Sequence, residues 1–124
     1  MKRLAYQLLL LSPLWVACRP EATLPTSFTN QQAVIELVVC SRGCEQYVLR
    51  TETGSEAIRM YVANMPDSLK VRAIPAAYAD NRLPVIFSGT RTNELRQVNT
   101  AGPADVPEPA YKAYILQLTA VRRR

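Results

Sequence analysis

The sequence contains no histidine. That absence removes the commonest general base, the commonest transition-metal ligand and every Ser-His or Cys-His nucleophile pair. Glycine is also scarce, with four residues scattered along the chain, so a glycine-rich phosphate cradle has nowhere to form. No G-x-S-x-G elbow surrounds Ser55, Ser68 or Ser88, and none of the ten acidic residues is set apart by spacing as a catalytic pair. No apolar run reaches the roughly 20 residues that a membrane-spanning helix needs. The sequence therefore points away from an enzyme and implies no cofactor. What is present is an ordinary globular balance, 48% apolar and 20% charged over 124 residues. That balance is enough for one compact domain and excludes a disordered chain.

The net charge of +5 suggests nucleic acid only until it is located. Lys2 and Arg3 open the chain and Arg122, Arg123 and Arg124 close it, which leaves the body between them near neutral. Within that body Arg50, Arg59, Lys70, Arg72, Arg91 and Arg96 alternate with Glu45, Glu52, Glu56, Asp67 and Glu94, so no basic patch is expected and nucleic acid is not a partner.

Met1 to Cys18 reads as an export signal: two cations, an apolar stretch from Leu4 to Val16, then Ala17 and a cysteine. Pro13 argues against a buried helix here, and Lys2 and Arg3 suit the positive-inside bias of an inserting segment. The run Leu14-Trp15-Val16-Ala17-Cys18 resembles a bacterial lipobox, with a small residue directly before the cysteine. It departs from that pattern at Trp15, where the family carries leucine. The resemblance implies cleavage after Ala17 and acylation of Cys18, with the membrane as a partner through the lipid anchor. Arg19 is not the aspartate that bacterial lipoproteins use for inner-membrane retention, so the resemblance also implies the outer membrane, facing the periplasm. Residues 18–32, with Pro20, Pro25 and several hydroxyl side chains, read as a tether.

Residues 33–121 read as a single β domain, followed by a basic tail at 122–124. In Ala33 to Cys40, Ile35, Leu37 and Val39 share one face, with Val34, Glu36 and Val38 on the other. After a turn at Cys40 to Cys44, the segment Glu45 to Thr51 alternates Tyr47 and Leu49 against Gln46, Val48 and Arg50. A turn at Glu52-Thr53-Gly54-Ser55 leads to a third strand, Ala57 to Ala63. Pro66 halts it, and short helical turns fit the stretch to Asp80. Leu83 to Gly89 reads as a strand, Asn93 as a turn and Leu95 to Asn99 as a strand pairing back. A Pro- and Ala-rich loop then runs from Thr100 to Pro109, before a last strand from Tyr111 to Ala120. The expected fold is all-β, a small five- to six-stranded OB-like barrel with a short helical insertion, and a small β-sandwich is the alternative. Tyr61, the segment Asn64 to Lys70 and the strand Leu83 to Gly89 resemble small OB-fold-like bacterial lipoproteins, a likeness that brings no catalytic residues with it.

Cys40 and Cys44 face each other across a hairpin turn, and in an exported protein this spacing favours a disulfide. A soft-metal or redox-active thiol pair is the rival, but a metal site lacks histidine partners, and Met60 and Met65 suit packing better than ligation. OB-like barrels bind ligands on the face of their second and third strands, which here carries Gln46, Arg50, Arg59 and Tyr61. These four residues are the candidate binding face for an envelope protein, a peptide or a glycan. The same alternation also describes an ordinary solvated sheet face. A purely structural envelope component and a thiol-based metal or redox protein are the competing readings.

Overall fold

The computed structural model describes residues 26–52 and 57–124. Five strands, β1 Ser27–Ser41, β2 Cys44–Thr51, β3 Arg59–Val62, β4 Arg82–Ala101 and β5 Pro107–Arg123, close into a barrel in the order β1-β2-β3-β5-β4. All neighbours are antiparallel except β3 and β5, which run parallel. A three-strand meander, a crossing connection and a returning hairpin make this an OB-like all-β barrel with five strands, and the sandwich alternative is set aside.

The interior follows the two-residue period of the strands. Ala33, Ile35 and Leu37 of β1, Tyr47 and Leu49 of β2, Met60 and Val62 of β3, Leu83, Val85 and Phe87 of β4, and Leu116 and Leu118 of β5 form one core. Each fully buried large side chain in this set contributes about 1.5–3 kcal/mol relative to exposure. The alternation read in β1 fails at Val39. The ladder with β2 shifts register between Val39 and Ser41, which leaves Val39 45% exposed and Cys40 wholly buried.

Several segment boundaries differ from the sequence reading. The strand begins at Ser27, so residues 27–32 belong to the barrel and not to a tether. Phe28 is buried against Phe87, with ring centroids 5.3 Å apart, and a register shift between Phe28 and Gln31, with Asn30 at φ 47°, masks the alternation there. At the other end the arginines are not a bare tail: β5 continues through Arg123, and Arg124 donates its backbone N–H to Pro84. The expected turn at Asn93 is a bulge inside one long strand, because the β4–β5 register shifts between Arg91 and Leu95. The expected loop from Thr100 to Pro109 shrinks to Gly102–Val106, since both its flanks are paired strand. The turn expected at Glu52 to Ser55 lies largely outside the described residues, as do the signal segment and Cys18.

The connection between β3 and β4 contains two short 3₁₀ turns, Asp67–Leu69 and Pro75–Ala77, and plugs one end of the barrel with Met65, Leu69, Val71, Ile74, Ala77 and Tyr78. Two tyrosines hold this plug. Tyr78 Oη donates to the Leu69 carbonyl at 2.6 Å, and Tyr47 Oη accepts the Val71 N–H at 3.1 Å.

Candidate functional site

The face that sequence reasoning assigned to binding is the outer surface of β2 and β3. Beyond the Arg91/Leu95 bulge, β4 and β5 leave the barrel wall as a two-stranded arm, since Leu95 to Ala101 pairs only with Pro107 to Tyr114. Bulges bend strands, and here the bend lays the arm across the outer face of β2. Val98 and Ala113 of the arm pack with Val48 of β2 in a small second cluster that also takes in Val38 and Tyr61. Val48 and Val98 are wholly buried, although both lie outside the barrel interior.

The arm is also fixed by polar contacts. Gln46 is buried, its Nε2 donating to the Asn99 carbonyl at 2.8 Å and its Oε1 accepting the Asn99 N–H at 3.2 Å. One side-chain amide thus takes the place of a neighbouring strand at the outer edge of β4. At the arm's tip both carboxylate oxygens of Asp105 accept the Arg42 N–H, at 2.9 and 3.1 Å. Arg42 sits in the β1–β2 turn, which closes through Gly43 at φ 81°, a conformation that costs glycine little. Cys40 and Cys44 flank that turn at disulfide distance, with Cα atoms 5.3 Å apart.

Of the four residues assigned to the binding face, Gln46 is therefore covered and committed to the arm. Tyr61 is half-buried, with the Arg96 guanidinium 4.9 Å above its ring. Arg50 and Arg59 converge on one carboxylate: Arg50 Nε lies 3.2 Å from Glu36 Oε2 and Arg59 Nε 3.4 Å from Glu36 Oε1. Such part-exposed pairs orient side chains more than they stabilise the fold. Tyr111, on the arm, feels the charges of Arg59 and Glu36; burial pushes its hydroxyl above the usual phenol range, with Arg59 opposing. The structure thus gathers Arg50, Arg59 and Glu36 in one ion-pair group and places Gln46 and Tyr61 beneath the arm.

Sequence reasoning missed the arm residues Arg96, Val98, Asn99 and Asp105, and the carboxylate of Glu36. A signal for the cover was nonetheless present. Val38 and Val48 are aliphatic at outward positions of β1 and β2, and strands apolar on both faces are strands covered on both faces. Among the described residues no three metal-ligating side chains gather, and no helix is long and apolar enough to cross a membrane. The class defined by this architecture is a small OB-like barrel with a strapped outer face. No family model matches the chain, and no curated protein or solved structure matches it either.

Proposed function

We propose that this protein is an exported lipoprotein, acylated at Cys18 and held on the outer membrane facing the periplasm, whose barrel is a non-catalytic module that contacts another envelope protein. The observation that carries the reading is the cysteine-ended leader Met1 to Cys18 set directly before a folded barrel whose first strand starts at Ser27. The chain between those two points spans at most about 30 Å when fully extended, so the barrel would work close to the bilayer. The Cys40–Cys44 pair suits an oxidising compartment, where a disulfide would brace the turn that the arm grips.

A protein partner fits the surface better than a glycan does. The aromatic side chain that would stack a sugar, Tyr61, lies beneath Arg96, whereas Val39 and Val106 are 45% and 56% exposed and neighbour the Arg42–Asp105 contact in sequence. Apolar side chains around a polar rim are the usual make-up of a protein contact. Two experiments test the reading. Cys18→Ala should leave the protein soluble or unprocessed, and its retention in membranes after high-salt and carbonate washing would reject lipid anchorage. A photo-crosslinking side chain at Val106 should capture a discrete envelope protein in intact cells while one at Thr119 does not. Equal capture at both positions, or capture of glycan alone, would reject the proposed surface.

A further inference from the structure

A cavity lies at the plugged end of the barrel, away from the arm. It holds about 290 Å³ and is lined by Ile74, Pro75, Ala76, Ala77 and Arg123. Its wall is almost wholly apolar: Ile74 and Ala77 pack partly onto the core, while Pro75 and Ala76 are exposed at its lip. The one charge in it is Arg123. Val121 packs against the core, and Arg123, two residues on in the same strand, projects to the same side, toward the barrel mouth. Among the described residues no carboxylate lies within ion-pair distance of Arg123, as is also true of Arg72, Arg82 and Arg122, so its charge is open to a ligand.

The backbone that carries Arg123 is held in place. Arg124 donates its N–H to the Pro84 carbonyl at 3.0 Å, and its guanidinium reaches Gln32 Oε1 at 3.1 Å and Glu52 Oε1 at 2.6 Å, tying the end of β5 across β4, β1 and β2. Arg124 is thus a positioning residue, and Arg123 is an exposed guanidinium carried on fixed backbone beside an apolar hollow. A guanidinium matches a carboxylate in two parallel hydrogen bonds, and barrel mouths are preferred ligand sites. The hollow falls just short of the roughly 300–1,000 Å³ that encloses a whole small ligand, so it suits one apolar side chain and not a long hydrocarbon.

From this geometry we propose that the barrel mouth recognises the C-terminal residue of a peptide chain, its free carboxylate on Arg123 and its apolar side chain against Ile74, Pro75, Ala76 and Ala77. The site rests on the reading of the protein as a binding module but lies apart from the arm, so it is tested independently of membrane anchorage and of the Val106 surface. The test is a nuclear magnetic resonance titration of the purified full chain with N-acetyl-leucine and with N-acetyl-leucinamide, which differ in the carboxylate alone. The acid should shift the signals of Ile74 to Ala77 and of Arg123 saturably, and the amide should bind at least tenfold more weakly. In Arg123→Gln the preference for the acid should disappear while the spectrum of the barrel is retained. In Ala76→Glu, which sets a carboxylate opposite the guanidinium, binding of the acid should be lost. Equal binding of acid and amide by the wild type, an unchanged preference in Arg123→Gln, or shifts confined to other surfaces would overturn the proposal.

Discussion

Replacing Gln46 tests whether a single side chain holds the arm on the barrel. The Gln46 amide forms both hydrogen bonds to Asn99, at 2.8 and 3.2 Å, and is buried while doing so. Each such bond contributes about 0.5–1.5 kcal/mol net, so Gln46→Ala should cost about 1–3 kcal/mol before the lost packing is counted. In a domain of this size each kcal/mol lowers Tm by roughly 4–8 °C. The informative readout is local. Amide exchange at Asn99 should accelerate by about ten- to a hundredfold, which is what losing about 1.4–2.7 kcal/mol of arm closure would produce. Exchange at Leu49, inside the barrel, should change only as far as global stability does. Gln46→Met keeps the volume and removes both bonds, so it separates the hydrogen bonds from the packing. If Asn99 keeps its wild-type protection in Gln46→Met, the amide is not what holds the arm and the reasoning fails.

Three further outcomes are expected. Replacing Cys40 and Cys44 together by serine should lower stability by about 2 kcal/mol in the oxidised protein, the loop-entropy value for a five-residue closure, and added reductant should reproduce the loss in the wild type; equal denaturation midpoints with and without reductant would contradict it. Burial holds the Tyr78 hydroxyl far above its ordinary value of 10.0, and raises Tyr47 for the same reason. The unfolded chain therefore ionises first, so the stability these neutral hydroxyls contribute is complete below about pH 10 and falls as the pH climbs toward their folded-state values. Denaturant titrations from pH 8 to 11.5 should show that slope, and Tyr78→Phe should flatten it while costing about 1 kcal/mol at neutral pH through the lost bond to Leu69. A Cβ on Gly89 would stand 2.5 Å from the Gln117 carbonyl oxygen, backbone that cannot swing aside, so Gly89→Ala should cost about 1–3 kcal/mol in a thermal melt; an unchanged Tm would show that β4 and β5 can part at this bulge.

The parts of the fold legible in the sequence are those governed by neighbours along the chain. Alternation at Ile35 and Leu37, at Tyr47 and Leu49 and at Met60 and Val62 specifies strands, because a two-residue period places one set inward whatever the topology. Pro66 bars the strand from continuing for an equally local reason, although β3 already ends at Val62. The arm was hidden because its prolines read as a loop. Pro109 pairs with Asn99 and Pro107 with Ala101, and since the Asn99 N–H turns outward to Gln46, these are positions where the strand partner owes no hydrogen bond across the ladder. Proline is tolerated at such positions, and there it also removes donors from the arm's free edge, which discourages pairing with another chain. The cover over Gln46 is illegible for a related reason: Gln46 and Arg50 look solvated by alternation, but only the long-range return of β4 and β5 decides that Gln46 is buried and Arg50 is not. Asn64 repeats the pattern, its amide exchanging two 2.8 Å bonds with the Leu118 backbone just past the end of β3, where the sequence alone suggests a turn residue.

The closed arm also decides where a partner can bind. Even at the low end, the two Gln46 bonds and the burial of Val98 amount to about 2.5 kcal/mol favouring closure. The arm is a hydrogen-bonded hairpin in its own right, so hinging at the Arg91/Leu95 bulge need not melt it, and little is regained by opening. About 2.5 kcal/mol leaves the open form near one or two parts in a hundred, and any ligand that needs the face beneath the arm has its apparent affinity reduced by that fraction. A ligand of the outer rim or of the barrel mouth carries no such penalty. Weakening the arm with Gln46→Met therefore separates the two modes: on the same low-end figures the two bonds supply about 1 kcal/mol of the closure, so affinity for a ligand of the covered face should rise about fivefold, whereas capture at Val106 and binding at Arg123 should stay as they are in the wild type.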